Sequence, residues 1–416
     1  MMSKQNRKRI LVVSHGHPIF SPGGGEMAAY TLWQAYRRQP EVECAVFLSR
    51  LGGPQCLGNI SKHGNDEYLW EQSLGDDFIM EGRNLWASLT VFSDFIKSIR
   101  PDIIHLHHAV HMGYEILDII KRALPEAKIC FTLHEYIPIC HNSGQMLKKN
   151  GSLCHASGLA ECARCFPKKT EADFWLRKRR FLYFFGNVDH FIAPSEFLAR
   201  RYIEWGLPPE KISVLENGLR SMQSCPERKS RAEGPHNRFG FFGQITQFKG
   251  LSVVLDALSL LSARDRQKII LEIHGAGFGE AAEAHEASLR KKYKQLEKEG
   301  IIRWIGAYHP EALVSRMSGI DWVVMPSIWW ENSPVIIQEA FACKRPVLAS
   351  SIGGMAEKIA NNINGILVEP GNSQAWADAM LECSTDNALW ERLRGGIPQP
   401  MTADECARRH LEILWH

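Results

Sequence analysis

The chain has 416 residues, 45% of them apolar and 23% charged, with a formal net charge of +3. That length exceeds one ordinary hydrophobic core and predicts two large domains, while the near balance of charge removes any bulk electrostatic case for nucleic acid as a partner. No run approaches the roughly eighteen apolar residues of a membrane span, and the polar, basic start from Met1 to Arg9 leads into a strand without a signal-peptide core, so a cytoplasmic protein is expected.

The predicted elements alternate. Arg9 to Ser14 is a short buried-strand run, followed by a glycine turn, Pro22-Gly-Gly-Gly-Glu26, and an amphipathic helix from Glu26 to Arg38. Further strands are expected at Cys44–Leu48, Ile103–Leu106, Lys128–Thr132 and Asp189–Ala193. A polar stretch from Arg220 to Asn237, with two prolines and mixed charges, reads as a linker. The alternation then restarts with a strand at Phe239–Gly243, a helix at Leu251–Leu261, a strand at Ile269–His274 and a long charged helix to Lys298. Strands Ile302–Ile305 and Trp322–Met325, helix Val335–Phe341, strand Pro346–Ala349 and a terminal helix Ala403–Trp415 complete the order. Such alternation predicts parallel sheets covered on both faces, twice over. The fold class is therefore α/β, with two doubly wound Rossmann-like domains that place ligands beyond the carboxyl ends of their strands. Facing each other, the two would enclose an interdomain active-site cleft. The expected boundaries are 1–219, a linker at 220–237, and 238–401.

The segment Glu331-Asn-Ser-Pro-Val-Ile-Ile-Gln-Glu339 carries the most chemistry. Pro334 fits a first helical turn, with Asn332 or Ser333 as the cap. The helix then starts between the two glutamates, and its free N–H groups face an anion above the strand ends. A carboxylate on each side can hold hydroxyls, because an ionised carboxylate only accepts hydrogen bonds. A diphosphate flanked by polyols matches that pattern, and so would an ordinary loop with two surface glutamates. Gly23-Gly-Gly25 opens a helix after the first strand, where backbone N–H groups approach a phosphate or simply make a tight turn. Among His105, His107, His108 and His111, strand alternation sends His105 and His107 to one face and His108 to the other, which argues against a shared metal.

Two other segments stand out. Cys140, Cys154, Cys162 and Cys165 lie in one polar stretch that ends in C-x-x-C. They could close a tetrahedral structural zinc site, with His141 or His155 able to substitute, or stay as reduced thiols. Lys168-Lys169 and Arg177-Lys-Arg-Arg180, among Phe174, Trp175, Phe181, Tyr183, Phe184 and Phe185, suit either a helix at an anionic membrane surface or a core helix with a solvated basic face. No nucleic-acid motif accompanies this patch.

Taken together, several motifs resemble glycosyltransferase family 4. They are Pro326-Ser-Ile-Trp-Trp-Glu331-Asn-Ser-Pro with Glu339-Ala-Phe-Ala-Cys, Arg345-Pro-Val-Leu-Ala-Ser, Gly353-Gly-Met-Ala-Glu357 and Asn364-Gly-Ile-Leu-Val. Upstream, Phe191-Ile-Ala-Pro-Ser-Glu196, Ile212-Ser-Val-Leu-Glu-Asn-Gly218, Phe242-Gly-Gln with Lys249-Gly250, Pro22-Gly-Gly-Gly-Glu26 and Thr132-Leu-His134-Glu-Tyr fit the same family in the same order. The resemblance implies a GT-B fold, with helix 402–416 packing back on the first domain, and a retaining, metal-independent transfer of a sugar from a nucleoside diphosphate donor to a glycan or lipid-linked hydroxyl. It further implies a role in cell-surface polysaccharide synthesis, with no required cofactor and with location in the cytoplasm or on the inner face of the membrane. By resemblance, Gly24 touches the donor diphosphate, Glu26 supports that loop, and His134 meets the donor sugar, with His107 and His108 expected on the acceptor side. Lys249 holds phosphates, Glu331 binds sugar hydroxyls and Glu339 the ribose, so His134, Lys249 and Glu331 form the expected catalytic set. Asn332, Ser333, Pro334 and Val335 complete the donor loop. His274-Gly-Ala-Gly277 is expected near the nucleotide and Ile305-Gly-Ala-Tyr308 beside the base. Gln244 stands where the family usually has arginine, which removes one cation from the leaving diphosphate. Arg303 or Lys344 could compensate. A sugar-nucleotide epimerase or a phosphorylase could share the architecture, though no motif for a pyridoxal lysine is present. A non-catalytic glycan-binding or partner subunit with the same fold is the alternative, and Gln244 favours it.

Overall fold

The computed structural model describes residues 7–21, 23–53, 57–222, 224–226, 235–276 and 284–415. Pro22, Gly277, the first six residues and much of the expected linker (223 and 227–234) lie outside the described residues. The chain divides into two compact units, residues 1–220 with 401–416 and residues 221–400.

The described strands of the first unit are β1 (Lys8–Ser14), β2 (Val42–Leu51), β3 (Ile60–Gly64), β4 (Glu67–Glu71), β5 (Leu74–Asp76), β6 (Glu81–Gly82), β7 (Ile103–His107), β8 (Lys128–Thr132), β9 (His190–Ala193) and β10 (Ile212–Val214). Eight of them form one sheet in the order β10-β9-β8-β7-β1-β2-β4-β3, parallel except for the β3/β4 pair. Ile10, Leu11, Val12 and Val13 of β1 are fully buried, as an unbroken apolar run must be when helices cover both faces. Helix Gly24–Tyr36 packs Ala29, Leu32 and Trp33 against Cys406, Ala407 and Leu411 of the terminal helix Ala403–Trp415 in one core cluster. Backbone bonds from Leu219 to Met401 and from Ala403 to Leu219 fasten that returning segment.

The second unit holds β11 (Arg238–Phe242), β12 (Ile270–His274), β13 (Ile302–Trp304), β14 (Trp322–Met325), β15 (Val347–Ser350) and β16 (Gly365–Val368). Its sheet order is β13-β12-β11-β14-β15-β16, and all of its pairs are parallel. Trp322, Trp376 and Trp390 are fully buried in its core. Each large side chain buried in this way contributes roughly 1.5–3 kcal/mol. The α/β alternation expected from the sequence is borne out in both units. Helices Ser373–Thr385 and Asn387–Gly395 are additions to it.

Topology fixes where a ligand can sit. In the first unit the strand order reverses between β1 and β7, and in the second between β11 and β14. Open α/β sheets bind ligands in the crevice beyond the carboxyl ends of the strands at such switch points. The segments after β1 and β7, and after β11 and β14, are therefore the places to look.

Candidate functional site

In the second unit the two loops at the switch point are fastened to each other. Gly250 has φ +69°, and a Cβ there would lie 1.8 Å from the Pro326 carbonyl oxygen, so only glycine lets the post-β11 loop lie on the post-β14 loop. Ile328 N–H donates to the Phe248 carbonyl at 2.9 Å. This clamp brings Lys249 Nζ to 2.6 Å from Glu331 Oε1. Ser327 Oγ and Trp329 Nε1 donate to the same oxygen at 2.9 and 3.1 Å. Burial alone would raise the Glu331 pKa, but the Lys249 charge and these donors outweigh it and hold the carboxyl below its ordinary range. Three donors converge on Oε1, which leaves Oε2 to accept from a hydroxyl. Ser327 and Trp329 were not singled out in the sequence. The available signal was a hydroxyl and an indole four and two residues before a glutamate in a loop after a strand.

Helix Val335–Ala342 starts four residues after Glu331 and contains Glu339, which is half-buried. The expected cap is corrected. Pro334 itself holds the cap position with ψ 117°, and no side chain caps the helix. Ser333 Oγ is buried without a protein partner among the described residues. With no capping side chain, the start of this helix keeps the partial positive charge that favours an anion. Gly353 and Gly354 form a second clamp. A Cβ on Gly354 would lie 1.7 Å from the Asn332 carbonyl oxygen, and the Gly354 N–H donates to the Glu331 carbonyl at 2.7 Å.

Gln244 is exposed just after β11, beyond Gly243. Gly243, Gly275 and Gly306 interlock here: Gly243 donates to the His274 carbonyl and Gly275 to the Gly306 carbonyl. A Cβ on Gly275 would lie 1.9 Å from the Gly243 carbonyl oxygen. Tyr308 packs against Phe242 with ring centroids 5.8 Å apart. Lys344 and Arg303, the cations expected to compensate, each lie near other groups of the second unit. Lys344 follows the carboxyl end of helix 335–342, at the amino end of β15, with Nζ on the Ile397 carbonyl at 3.0 Å. Arg303 stands opposite Glu272 in the β12/β13 register, and its charge acts on that carboxylate.

In the first unit, Gly23 is the N-cap of helix 24–36, and Gly24 has open space where a Cβ would be. Glu26 Oε1 lies 3.0 Å from His15 Nε2 and accepts from Ser21 Oγ at 3.2 Å. Burial opposes ionisation of Glu26, yet the His15 hydrogen bond and charge bring its pKa down to about 2. His15, at the end of β1, is a member the sequence reading missed; its signal was its place on the carboxyl end of the first strand. His134 follows β8. Its Nε2 is 2.9 Å from His107 Nδ1, and its ring stacks on His107 and His108 with centroids at 5.2 and 5.0 Å. His108 does not face away from His107, as strand alternation predicts. β7 ends at His107, and His108 takes φ +69°, a left-handed turn that brings it to the same ring as His107. His108 Nδ1 also lies 3.3 Å from Glu135 Oε1. Burial pushes Glu135 up to about 7 and holds His107, His108 and His134 well below the usual imidazole range. The imidazoles are therefore neutral at pH 7.

The four cysteines share one neighbourhood. Burial, then Cys140, Cys154 and Cys165, push the Cys162 thiol up to about 11. Among the described residues, however, no group of three or more His, Cys, Asp or Glu side chains stands as a metal cage. A bound zinc would have to draw these thiols closer together. The basic run is also not the solvated face it resembles. Arg177 is buried and donates to the carbonyls of Phe78, Pro138 and Ile137 at 2.7, 2.6 and 2.5 Å. Arg180 bonds the Ile79 carbonyl and lies 3.6 Å from both Glu81 and Glu115. Helix Glu171–Phe185 instead exposes Trp175, Leu176, Arg179 and Tyr183.

Residues 22–221 match the family model described as Glycosyltransferase Family 4, and residues 226–396 match that described as Glycosyl transferases group 1. The D-inositol 3-phosphate glycosyltransferase of Jonesia denitrificans is 33% identical over 220 residues, 49% of this chain and 51% of its own. The amylovoran biosynthesis glycosyltransferase AmsK of Erwinia amylovora is 26% identical over 209 residues, 49% of each chain. The chain spans about half the length of these curated relatives. The crystal structure of Anabaena Alr3699/HepE in complex with UDP is similar over 98% of this chain and 99% of that one, with a TM-score of 0.67 at 17% identity. With two mostly parallel α/β sheets, this likeness identifies the GT-B fold.

Proposed function

The chain belongs to glycosyltransferase family 4, and from that membership we propose that it transfers a sugar, with retention, from a nucleoside diphosphate sugar to a hydroxyl of a glycan or lipid-linked acceptor. The observation that carries this reading is the Lys249–Glu331 pair, clamped at the switch point of the second unit beside a helix start. Lys249 and the uncapped N–H groups of helix 335–342 supply positive potential for a diphosphate. Glu331 Oε2 is the oxygen left for a sugar hydroxyl. Glu339 is assigned to the ribose, Gly24 to the diphosphate and His134 to the donor sugar. The HepE crystal holds UDP, and a uridine nucleotide is the first donor to try. The AmsK relative is named for amylovoran biosynthesis, which favours surface polysaccharide as the setting.

In the proposed reaction the bond from the anomeric carbon to the leaving phosphate oxygen breaks. The bond to the acceptor oxygen forms on the same face, and the acceptor proton passes to the leaving phosphate. The side chains position the reactants and stabilise the charge that develops. No metal or cofactor is assigned to these steps.

A thermal-shift screen of UDP-, GDP- and ADP-sugars tests the reading. A donor at a hundred times its dissociation constant should stabilise the chain by about 2.7 kcal/mol. If no donor shifts the melting temperature, the non-catalytic subunit becomes the better account, and the uncharged Gln244 is the feature that favours it.

A further inference from the structure

Behind His134 the first unit holds a column of buried imidazoles. His134 Nε2 meets His107 Nδ1 at 2.9 Å. The His107 ring lies 4.3 Å from that of His105, and His105 lies 5.3 Å from His410 of the C-terminal helix. Both nitrogens of His105 are engaged, Nδ1 with the Tyr36 hydroxyl at 3.1 Å and Nε2 with Thr132 Oγ1 at 2.7 Å. The outer nitrogens of its neighbours are not. His107 Nε2 and His410 Nε2 are each buried without a protein partner among the described residues. Both histidines line one crevice, with Thr31, Asn217 and Cys406. The crevice offers ≈ 10 Å³ to the centre of a water-sized sphere, about the least that one water needs. Two buried orphan nitrogens on one water-sized space call for a bridge.

The tautomer of His410 is fixed locally. Its Nδ1 lies 2.8 Å from the Cys406 carbonyl oxygen, which can only accept. Nδ1 therefore carries the proton, and Nε2 the lone pair. Burial holds the His410 pKa at about 4, so the ring is neutral near pH 7.

We propose that His410 is a positioning residue for His134: a water in the crevice accepts from His107 Nε2–H and donates to His410 Nε2, which makes His107 Nδ1 an acceptor and keeps the His134 proton on Nε2. Donors then run in one direction, from His134 through His107 and the water to His410 and the Cys406 carbonyl. Bonds in such a chain polarise and strengthen one another. His134 is left with its lone pair on Nδ1, a form that accepts from a hydroxyl and cannot act as a cation. The catalytic consequence rests on the transferase reading above; the hydrogen-bond chain itself does not.

Long-range proton–nitrogen spectra of the full chain labelled with 15N-histidine read each ring's tautomer at neutral pH. The native protein should show a protonated Nδ1 on His410 and a protonated Nε2 on both His107 and His134. A protonated Nδ1 on His107 overturns the proposal, and this measurement needs no variant to fold. His410→Phe removes the acceptor, so the His107 and His134 signals should become those of mixed tautomers. His410→Gln, which keeps an accepting oxygen, should restore them in large part. Signals of His107 and His134 that ignore His410→Phe also overturn it. In a transfer assay His410→Phe should lower kcat about tenfold at unchanged KM, a fraction of the ~10⁴ that a wrongly held catalytic imidazole can cost. An intact relay in a chain that transfers no sugar would count against the functional reading alone.

Discussion

Glu331 and Glu339 flank the start of one helix, yet their surroundings assign them different work. Glu331 is buried, ionised by Lys249 and oriented by Ser327 and Trp329. Its free oxygen is rigidly aimed, which is what transition-state stabilisation requires. Glu331→Ala should lower transfer turnover by roughly two to three powers of ten while nucleotide affinity changes little. Glu339, half-buried on the second helical turn, should affect binding instead. Glu339→Ala should weaken free nucleotide and sugar nucleotide equally in calorimetric titrations, and unchanged nucleotide affinity would remove the ribose assignment. A second residue-scale expectation concerns acid stability. The Glu26 pKa falls from 4.5 to about 2 because the His15 hydrogen bond and charge overcome burial. A carboxyl depressed on folding contributes stability that is fully present above its unfolded pKa and is lost as pH falls through the folded one. At about 1.4 kcal/mol per unit, that contribution is on the order of 3 kcal/mol. Thermal melts of the native chain and Glu26→Gln should therefore differ most above pH 4.5, and the gap should narrow between pH 4.5 and about 2. A gap that stays constant over that window would show that Glu26 is not held by its ionised form.

At the scale of elements, the donor loop is shaped by backbone contacts that no side chain announces. Gly354→Ala would place a carbon 1.7 Å from the Asn332 carbonyl oxygen, so the loop bearing Glu331 must move. A loss of stability of about 1–3 kcal/mol is expected, with donor binding lost at temperatures where the chain is still folded. Binding that survives would mean that Glu331 does not need this clamp. The sequence made the sheets legible because their strands are unbroken apolar runs: Lys128–Thr132 and Trp322–Met325 coincide with β8 and β14. The β3 hairpin strand was illegible, since Ile60-Ser-Lys-His-Gly64 has no apolar alternation and stands half-exposed at the sheet edge. His108 was misplaced because alternation stops at the strand end, where φ turns positive. Arg177 read as surface charge because the carbonyls that hold it come from Phe78, Ile137 and Pro138, distant in the chain. The cysteine segment is open to a direct measurement. If its four thiols close on zinc, elemental analysis should find about one zinc per chain, and chelation should lower stability without a distinct catalytic signature. A folded, metal-free chain indifferent to chelators would leave them as packed thiols.

For the whole molecule, the open question is how a chain with little net charge would reach a lipid-linked acceptor. Among the described residues no helix is long and apolar enough to cross a membrane. We propose helix Glu171–Phe185 as a surface that meets the headgroups. It buries Phe174, Arg177, Phe181, Phe184 and Phe185 in the first unit and leaves Trp175, Leu176 and Tyr183 at 52%, 57% and 62% exposure. Positions 175, 176, 179 and 183 share one helical face, so Arg179 stands among these apolar side chains. Aromatic rings beside a cation suit the headgroup level of an anionic bilayer, where each basic side chain adds about 1 kcal/mol and each partly inserted ring adds more. The full chain should therefore sediment with anionic phospholipid vesicles at low salt and not with neutral ones. The double change Trp175→Ala with Tyr183→Ala should weaken that binding about tenfold or more, given roughly 1.5–3 kcal/mol for full burial of one large apolar side chain. Arg179→Ala should chiefly flatten the salt dependence. Both variants change exposed positions, so folding and transfer to a soluble acceptor should persist. Binding to neutral and anionic vesicles alike, or to neither, would remove this face from the account and leave the acceptor to be met in solution.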